Sequence, residues 1–242
     1  CGFAVSLQAV EPLYQINVTC PMCSNDFRTS RVRPSFRKPV GKDSDFCGHY
    51  RGANPDYYVV RVCPHCGYSH TENFENKLTP PIKAEIRQRI SSNWNMRDFS
   101  GERDWNAALQ AYQLALLCAQ MAKEKPRVIA GLLHHIAWLY REKGDREQEN
   151  KFLRFALEAY IEVFETESVD VNDARLMYII GELYRRLKEY NEAVRWFARV
   201  VNDKRIMDAA MIKACREQWA LTREDMLAET GRLPEEPEDG NP

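Results

Sequence analysis

Two Cys-Pro-x-Cys segments lie in the first third of the chain. Each turn of this kind presents two thiolates from one loop, and four thiolates at tetrahedral corners are a ligand set of structural zinc. Because protein ligands would fill all four positions, none stays open for a catalytic water. The sequence therefore predicts one structural Zn²⁺ ion held by Cys20, Cys23, Cys63 and Cys66.

The metal would supply much of the folding free energy of the chain around it. A structural zinc contributes about 10 to 16 kcal/mol of apparent binding free energy in small zinc peptides, and that energy is also folding energy. A segment of two hairpins has little apolar core of its own. We therefore expect this region to unfold when the metal is removed. The paired cysteine spacing also favours metal ligands in a reducing cytoplasm over disulfides.

Residues rich in β-branched and aromatic side chains flank both cysteine pairs, which is typical of strands. Tyr14–Thr19 and Phe27–Arg33 predict a hairpin with the first pair at its tip. Asp56–Val62 predicts a strand that leads directly into Cys63. The sequence therefore predicts a small zinc-ribbon-like β head over residues 11–79.

Pro80 and Pro81 mark the start of the helical region. Proline is tolerated in the first turn of a helix but not in its interior, so a helix can begin here but cannot continue through these residues. From Ile82 to about Glu229, apolar residues recur at intervals of three and four, as amphipathic helices require. The predicted fold class is therefore α+β, with the β head followed by an all-α, tetratricopeptide-like repeat domain over residues 80–230. An irregular helical bundle is the alternative for this region.

One stretch of the helical region has the small-residue and aromatic pattern of a tetratricopeptide unit. Gly181 is followed by Tyr184, and Ala193 is followed by Phe197. The spacing from Ala137 to Gly181 exceeds the standard period of about 34 residues, so the helices or loops must be longer than consensus. Further helices are predicted as the second helix of an earlier unit, with Trp105, Ala108, Tyr112 and Ala115, and as a capping helix over residues 206–229.

The helical repeats predict a concave face that recognises a protein partner. If Ala137 and Gly181 take the close-packing positions, polar and aromatic side chains fall on the inner faces of their helices. Arginine and rigid aromatic residues are the anchors that protein interfaces use. An ordinary solvated helix face is the alternative. The residues of the predicted partner-binding groove are His134, Trp138, Arg141, Arg175, Tyr178, Glu182 and Arg185.

A second group of chemically active side chains lies between the cysteine pairs. In an extended strand, Asp43, Asp45, Cys47 and His49 would alternate onto one side. This would gather the groups of a second metal site, or of a thiol- or metal-dependent enzyme centred on Cys47 and His49. The alternative is that both aspartates cap turns, because no orienting group or oxyanion hole accompanies them.

Charge and motif content narrow the classes of function. A formal net charge of -1 gives no overall attraction to nucleic acid or to anionic membranes. The longest weakly polar run, Ala107–Ala122, is too short to cross a bilayer, so we expect a cytoplasmic protein without membrane contact. Nucleic-acid binding through the basic run Arg28–Lys38 is an alternative. The sequence contains no nucleotide-binding, hydrolase or metalloprotease motif, and we infer no catalytic activity.

The two ends of the chain are expected to lie outside the folded domains. Residues 1–10 are predicted as an N-terminal extension of uncertain structure. Residues 231–242 are acidic and rich in proline, which predicts a disordered tail.

Several spaced motifs of the head resemble a bacterial family called domain of unknown function 2225, over roughly residues 11 to 220. The resemblance implies a zinc-ribbon-like head and a tetratricopeptide-like tail in a cytoplasmic protein, and it brings no established activity. Ser24 departs from the glycine that is more usual after the first cysteine pair. The motifs are Leu13-Tyr14, Val18–Cys23, Asp43–Cys47, Asn54-Pro55, Tyr58 and Val62–Tyr68.

These observations favour a zinc-binding adaptor or scaffold protein. The metal-held head would act as a rigid module, and the concave face of the helical repeats would recognise a protein or peptide partner.

Overall fold

The structure is a computed structural model that describes residues 9–167 and 173–237. Within these ranges the chain forms short strands, followed by helices, and this confirms the α+β fold class. Among the described residues, no helix is both long and apolar enough to span a membrane. The strands are β1 Leu13–Thr19, β2 Asp26–Val32, β3 Gly41–Lys42, β4 Gly48–His49, β5 Arg61–Val62 and β6 Ser69–His70. The helices are α1 Pro80–Arg89, α2 Trp105–Met121, α3 Pro126–Lys143, α4 Arg146–Thr166, α5 Ala174–Arg186, α6 Tyr190–Asn202 and α7 Ala209–Thr230.

The chain divides into two compact units. The first unit comprises the residues up to Asp43 and Gly48–Lys123, and the second comprises Ser44–Cys47 and the residues from Glu124 onward. The sequence analysis places a boundary at residue 80, where strands give way to helices. The compact units divide later, because α2 packs on β5 and β6.

The first unit contains the predicted hairpin around the first cysteine pair. β1 and β2 pair antiparallel, with Val18 opposite Phe27, and both side chains are buried. The predicted strand over residues 56–62 is wrong in its first half, which forms the short 3₁₀ helix Pro55–Tyr58. The side chain of Asn54 caps this turn by accepting a hydrogen bond from the Asp56 amide at 2.9 Å. Only β5 remains extended, and it pairs with β6.

Helix α2 belongs to the first unit, although the sequence analysis assigned its pattern to an additional helical repeat. Tyr112 is almost fully buried, and its hydroxyl donates to the carbonyl of Asp56 at 2.5 Å. Ala108 and Ala115 have no solvent exposure. The small and aromatic residues of α2 therefore pack on the strands, and the tetratricopeptide-like character of the helices stays a prediction.

The second unit contains helices α3 to α7. Helices α3 and α4 are joined at Gly144, whose φ of +78° suits glycine at a helix end. Helices α5 and α6 pack closely because Gly181 has no side chain, and a Cβ there would meet the ring of Phe197 at 2.7 Å. Helix α7 packs on α5 and α6, at the position predicted for a capping helix.

The predicted extension and tail fall partly on residues 1–8 and 238–242, which lie outside the described residues. The described part of the tail contacts helix α6 of the same unit. The Glu235 amide donates to Asn191 Oδ1 at 3.0 Å, and Pro234 is buried.

Replacement of Gly181 by alanine should destabilise the second unit by about 1 to 3 kcal/mol, because the new methyl group overpacks the contact with Phe197. Gly131 is the matched control, since a Cβ at this position in α3 would meet nothing within 4 Å. Gly131→Ala should stabilise by about 0.5 to 1 kcal/mol through helix propensity. Denaturant unfolding measures both changes, and a shift of both variants in the same direction would contradict the packing described.

Candidate metal centre and filled groove

The four predicted cysteines come together in the first unit. Their sulfur atoms all lie within 4.8 Å of one another, with Cys20 Sγ 3.6 Å from Cys66 Sγ and Cys23 Sγ 3.7 Å from Cys63 Sγ. Around a tetrahedral ion with Zn–S bonds of about 2.3 Å, neighbouring sulfurs lie about 3.8 Å apart. The cluster therefore has the size that one tetrahedral metal ion requires.

The local backbone holds these sulfurs in place. The amide of Met22 donates to Cys20 Sγ at 3.4 Å, and the amide of Tyr68 donates to Cys66 Sγ at 3.5 Å. Gly67 has a φ of +78°, and a Cβ there would clash with Trp94 at 2.6 Å. Both cysteine turns thus direct an N–H group at a sulfur, which stabilises a thiolate.

The cluster needs a cation to carry four thiolates. Hydrogen bonding with Cys63 raises the pKa of Cys20 to about 12, whereas hydrogen bonds from Cys20 and Cys66 lower the pKa of Cys63 to about 2. Hydrogen bonds with Cys20 and Cys63, together with burial, raise the pKa of Cys66. Without a metal, the cluster therefore favours a single thiolate at Cys63 with its neighbours protonated. The positive charge of a bound metal ion would favour the thiolate form of all four cysteines.

The predicted second cluster does not form an extended strand. Phe46 adopts a φ of +72°, which turns the chain and removes the alternation on which that cluster depends. His49 Nε2 lies 2.7 Å from Asp43 Oδ1 in the first unit, whereas Asp45 and Cys47 belong to the second. Among the described residues, the four cysteines are the only group of three or more potential ligands close enough to hold a metal.

The second unit encloses the carboxylate of Asp45, which has no solvent exposure. Arg141 donates to both oxygens, with Nη1 and Nη2 each at 2.8 Å. Trp138 Nε1 and His134 Nε2 each approach Oδ2 to 2.9 Å. The nearby guanidinium of Arg186 lies 3.7 Å away. Although burial opposes ionisation, these donors lower the pKa of Asp45 well below its usual range.

The imidazole of His134 is held in one tautomer. Because an ionised carboxylate can only accept hydrogen bonds, Nε2 carries the proton that is donated to Asp45. Nδ1 then accepts from the hydroxyl of Tyr160 at 3.0 Å. Burial lowers the pKa of His134, so the ring is neutral while the ion pair is formed by Arg141.

Ser44 contacts a second buried carboxylate, that of Glu182. The Ser44 hydroxyl donates to Glu182 Oε1 at 2.5 Å and accepts from Arg186 Nη2 at 3.0 Å. Arg185 and Gln218 also donate to Glu182, at 2.7 and 2.6 Å. The carbonyl of Ser44 accepts from the Tyr178 hydroxyl at 2.6 Å, so both main chain and side chain are recognised.

Phe46 completes the contacts of the segment Ser44–Cys47. The guanidinium of Arg175 stacks over the Phe46 ring, 4.1 Å from its centroid, in a cation–π arrangement. The ring of Tyr178 lies 5.5 Å from that of Phe46. The aromatic side chain of the segment is thus held between a cation and a second ring.

The structure brings all seven residues of the predicted groove into contact with this segment. They lie on one face of α3 and one face of α5, as their helical spacing indicates. The sequence predicts Asp43, Asp45, Cys47 and His49 as a separate site and does not predict that Ser44–Cys47 fills the groove. It also does not predict the three residues that support the segment, Tyr160, Arg186 and Gln218. The sequence does contain a signal for this contact, because an acidic segment and helix faces rich in arginine carry opposite charge.

The basic residues of the first hairpin are partly engaged within the first unit. Arg31 pairs with Glu72, and Arg33 Nε donates to the carbonyl of Glu11 at 2.8 Å. Arg37 Nε donates to the carbonyl of Val32 at 2.7 Å. These guanidinium groups therefore have structural contacts, while Arg28 remains exposed on the other face of β2.

Comparison with protein families gives one match, over residues 13–222, to a family described as an uncharacterized protein conserved in bacteria, DUF2225. The match covers most of the chain, and the protein belongs to this family. Neither curated proteins nor solved structures gave a significant match.

Replacement of Cys63 by serine should abolish stoichiometric metal binding, because a tetrahedral site loses one of its four thiolates. The first unit should then become sensitive to protease. Cys215→Ala is the matched control, since this buried cysteine lies in the second unit and outside the cluster. Elemental analysis of the purified proteins measures the effect, and one metal ion per chain in Cys63→Ser would refute the ligand assignment.

The stability of the second unit should fall on acidification in two ranges. Below about pH 6.5, the unfolded chain protonates His134 while the folded chain resists, because burial lowers its pKa. Below about pH 3.9, the unfolded chain protonates Asp45 while the folded carboxylate stays ionised. Hydrogen exchange of α3 and α5 against pH measures this loss. In Asp45→Asn, the loss of stability below about pH 3.9 should disappear, while the loss assigned to His134 remains. An unchanged stability profile in this variant would contradict the assignment of the lower range to Asp45.

Proposed function

We propose that this protein is a zinc-stabilised cytoplasmic adaptor whose second unit recognises a short acidic turn of a partner protein. The resident segment Ser44–Cys47 acts as an internal stand-in for that partner. The carrying observation is the Asp45 carboxylate, which is fully buried and receives hydrogen bonds from three groove residues.

The contacts define the partner's chemistry. A carboxylate fits the donors of Arg141, Trp138 and His134, and bidentate pairing with arginine gives geometric specificity. An aromatic side chain at the next position fits Arg175. The preceding position favours a hydroxyl, because Glu182 accepts from it and Arg186 donates to it. The groove therefore supports recognition of a Ser-Asp-aromatic sequence.

Zinc is the proposed occupant of the cysteine cluster. Four thiolates at this separation suit a tetrahedral metal with sulfur ligands, and a site closed by four protein ligands is structural. The paired Cys-x2-Cys spacing, which is typical of metal ligands, also supports a reducing compartment.

The resident segment competes with any partner because it is part of the same chain. A tethered ligand has an effective concentration in the millimolar range for short linkers, so a free peptide of equal affinity binds the intact protein weakly. Displacement of the segment opens the groove. A partner therefore binds only if its affinity for the groove exceeds that of the resident segment, or if it also contacts the protein at a second site.

Asp45→Ala should open the groove to a peptide supplied in trans. A fluorescent peptide with the sequence of residues 40–50 should bind Asp45→Ala at least about tenfold more tightly than it binds the unaltered protein, measured by polarisation. The peptide should also raise the melting temperature of the variant in proportion to occupancy. The same peptide with asparagine in place of Asp45 is the ligand control and should bind more weakly.

Asp203→Ala is the matched protein control, because it also removes an aspartate that pairs with an arginine, but this pair lies on the surface. Asp203→Ala should not bind the peptide more tightly than the unaltered protein does. Failure of a folded Asp45→Ala variant to bind the peptide, with unchanged helix content by circular dichroism, would overturn the proposal. If that variant does not fold, Phe46→Ala, which keeps the carboxylate but loses the stacking on Arg175, should show a smaller gain in peptide binding.

A further inference from the structure

Two neighbouring cavities of the first unit, of about 260 and 390 Å³, share Thr71 and Glu72 as wall residues. They lie outside the cysteine cluster, and they have no part in the groove of the second unit. We call them together the arginine pocket. The charged and titratable side chains that line it are Arg31, Arg37, Arg61, His70 and Glu72.

The arginine pocket holds more positive than negative charge. Arg31 and Arg61 both pair with the same oxygen of Glu72, the latter at 2.8 Å. Arg37 donates to the Val32 carbonyl at 2.7 Å and lies 3.5 Å from the Tyr14 hydroxyl, which are both neutral groups. Burial, followed by the charge of Arg31, lowers the pKa of Arg61, while the carboxylate of Glu72 acts in the opposite direction.

Buried polar atoms in this part of the first unit have no hydrogen-bond partner among the described residues. They are Arg61 Nε, His70 Nδ1 and Thr29 Oγ1. His70 is 3% exposed, and the pKa of its ring is lowered to about 4 by burial and by Arg61, so it is neutral. Thr29 lies on the same face of β2 as Arg31, because residues two apart share a face. Leaving buried polar atoms unpaired is unfavourable unless a ligand or water satisfies them, and Arg61 Nε among them is a donor.

We propose that the arginine pocket binds a small phosphate-bearing ligand, with its oxyanion between Arg31 and Arg61 and beside His70. A phosphate monoester has several acceptor oxygens and a charge of about -1.5 to -2 at neutral pH, which matches the surplus of guanidinium groups. Arginine binds phosphate through paired, charge-assisted hydrogen bonds. A simple carboxylate carries less charge and fewer oxygens, so it fits the pocket less well.

This site is independent of the peptide proposal, because all of its residues lie in the first unit. In the sequence, Arg31 and Arg37 belong to the basic run Arg28–Lys38, and His70 is predicted as a surface residue or a supporting partner of the second cysteine pair, whereas the structure buries it. The register of β5 with β6 pairs Arg61 with His70, and this pairing is what places the imidazole beside a guanidinium.

Inorganic phosphate is the probe that tests the site, with the metal-loaded full chain as the protein. Isothermal titration should show saturable binding at millimolar phosphate, and the ring resonances of His70 should shift with the same midpoint. Acetate at equal ionic strength should bind more weakly. Absence of saturable phosphate binding, or equal binding of acetate, would overturn the proposal.

Three variants locate the binding. Arg61→Gln should weaken phosphate binding by about tenfold or more, because one charged donor is lost. Glu72→Gln should strengthen it several-fold, since the carboxylate that competes for both arginines is neutralised. Arg28→Gln is the matched control on the opposite face of β2 and should change nothing. If Arg28→Gln weakens binding as much as Arg61→Gln does, or if Glu72→Gln weakens it, the pocket is not the site.

Discussion

A carboxylate that is wholly removed from water dominates the second unit. Taking a charge out of water costs several kcal/mol, and the cost is offset only when opposite charge and hydrogen bonds surround it. Asp45 has both, through Arg141, Trp138 and His134. The side chains of α3 and α5 must therefore surround the segment Ser44–Cys47, which comes from a distant part of the chain. The same arrangement makes the face specific, since an unpaired arginine or carboxylate there would be strongly unfavourable.

The cysteine cluster imposes a comparable constraint on the first unit. Its strands are short, and β3 to β6 have only two residues each, which alone give little stability. The four sulfur atoms lie within 4.8 Å of one another, so one metal ion at their centre would connect the two cysteine turns. Packing of Tyr68 and of α2 then adds apolar burial around that position. Metal binding and folding of the first unit are thus expected to be coupled.

The sequence predicted the parts of the structure that local chemistry determines. The Cys-x2-Cys spacing predicted the four cysteines that the structure brings together, and helical periodicity placed the groove residues on common faces of α3 and α5. The predicted strand over residues 56–62 is wrong in its first half, because the cap from Asn54 and the proline at position 55 favour a 3₁₀ turn over local strand propensity. The small residues of α2 predict a repeat helix, but they pack on β5 and β6, because small residues suit packing on strands as well as on helices. Contacts over more than 80 residues, such as Asp45 with Arg141, follow from tertiary structure and have no local signal.

Whether the segment truly serves as the ligand of the groove depends on the energy of one ion pair. A double-mutant cycle between Asp45 and Arg141, with Asp45→Ala, Arg141→Ala and the double variant compared by denaturant unfolding, measures that energy directly. We expect a favourable coupling of about 2 to 3 kcal/mol, since the two charges are buried and the arginine pairs with both carboxylate oxygens. A coupling below about 0.5 kcal/mol, as for independent sites, would contradict it.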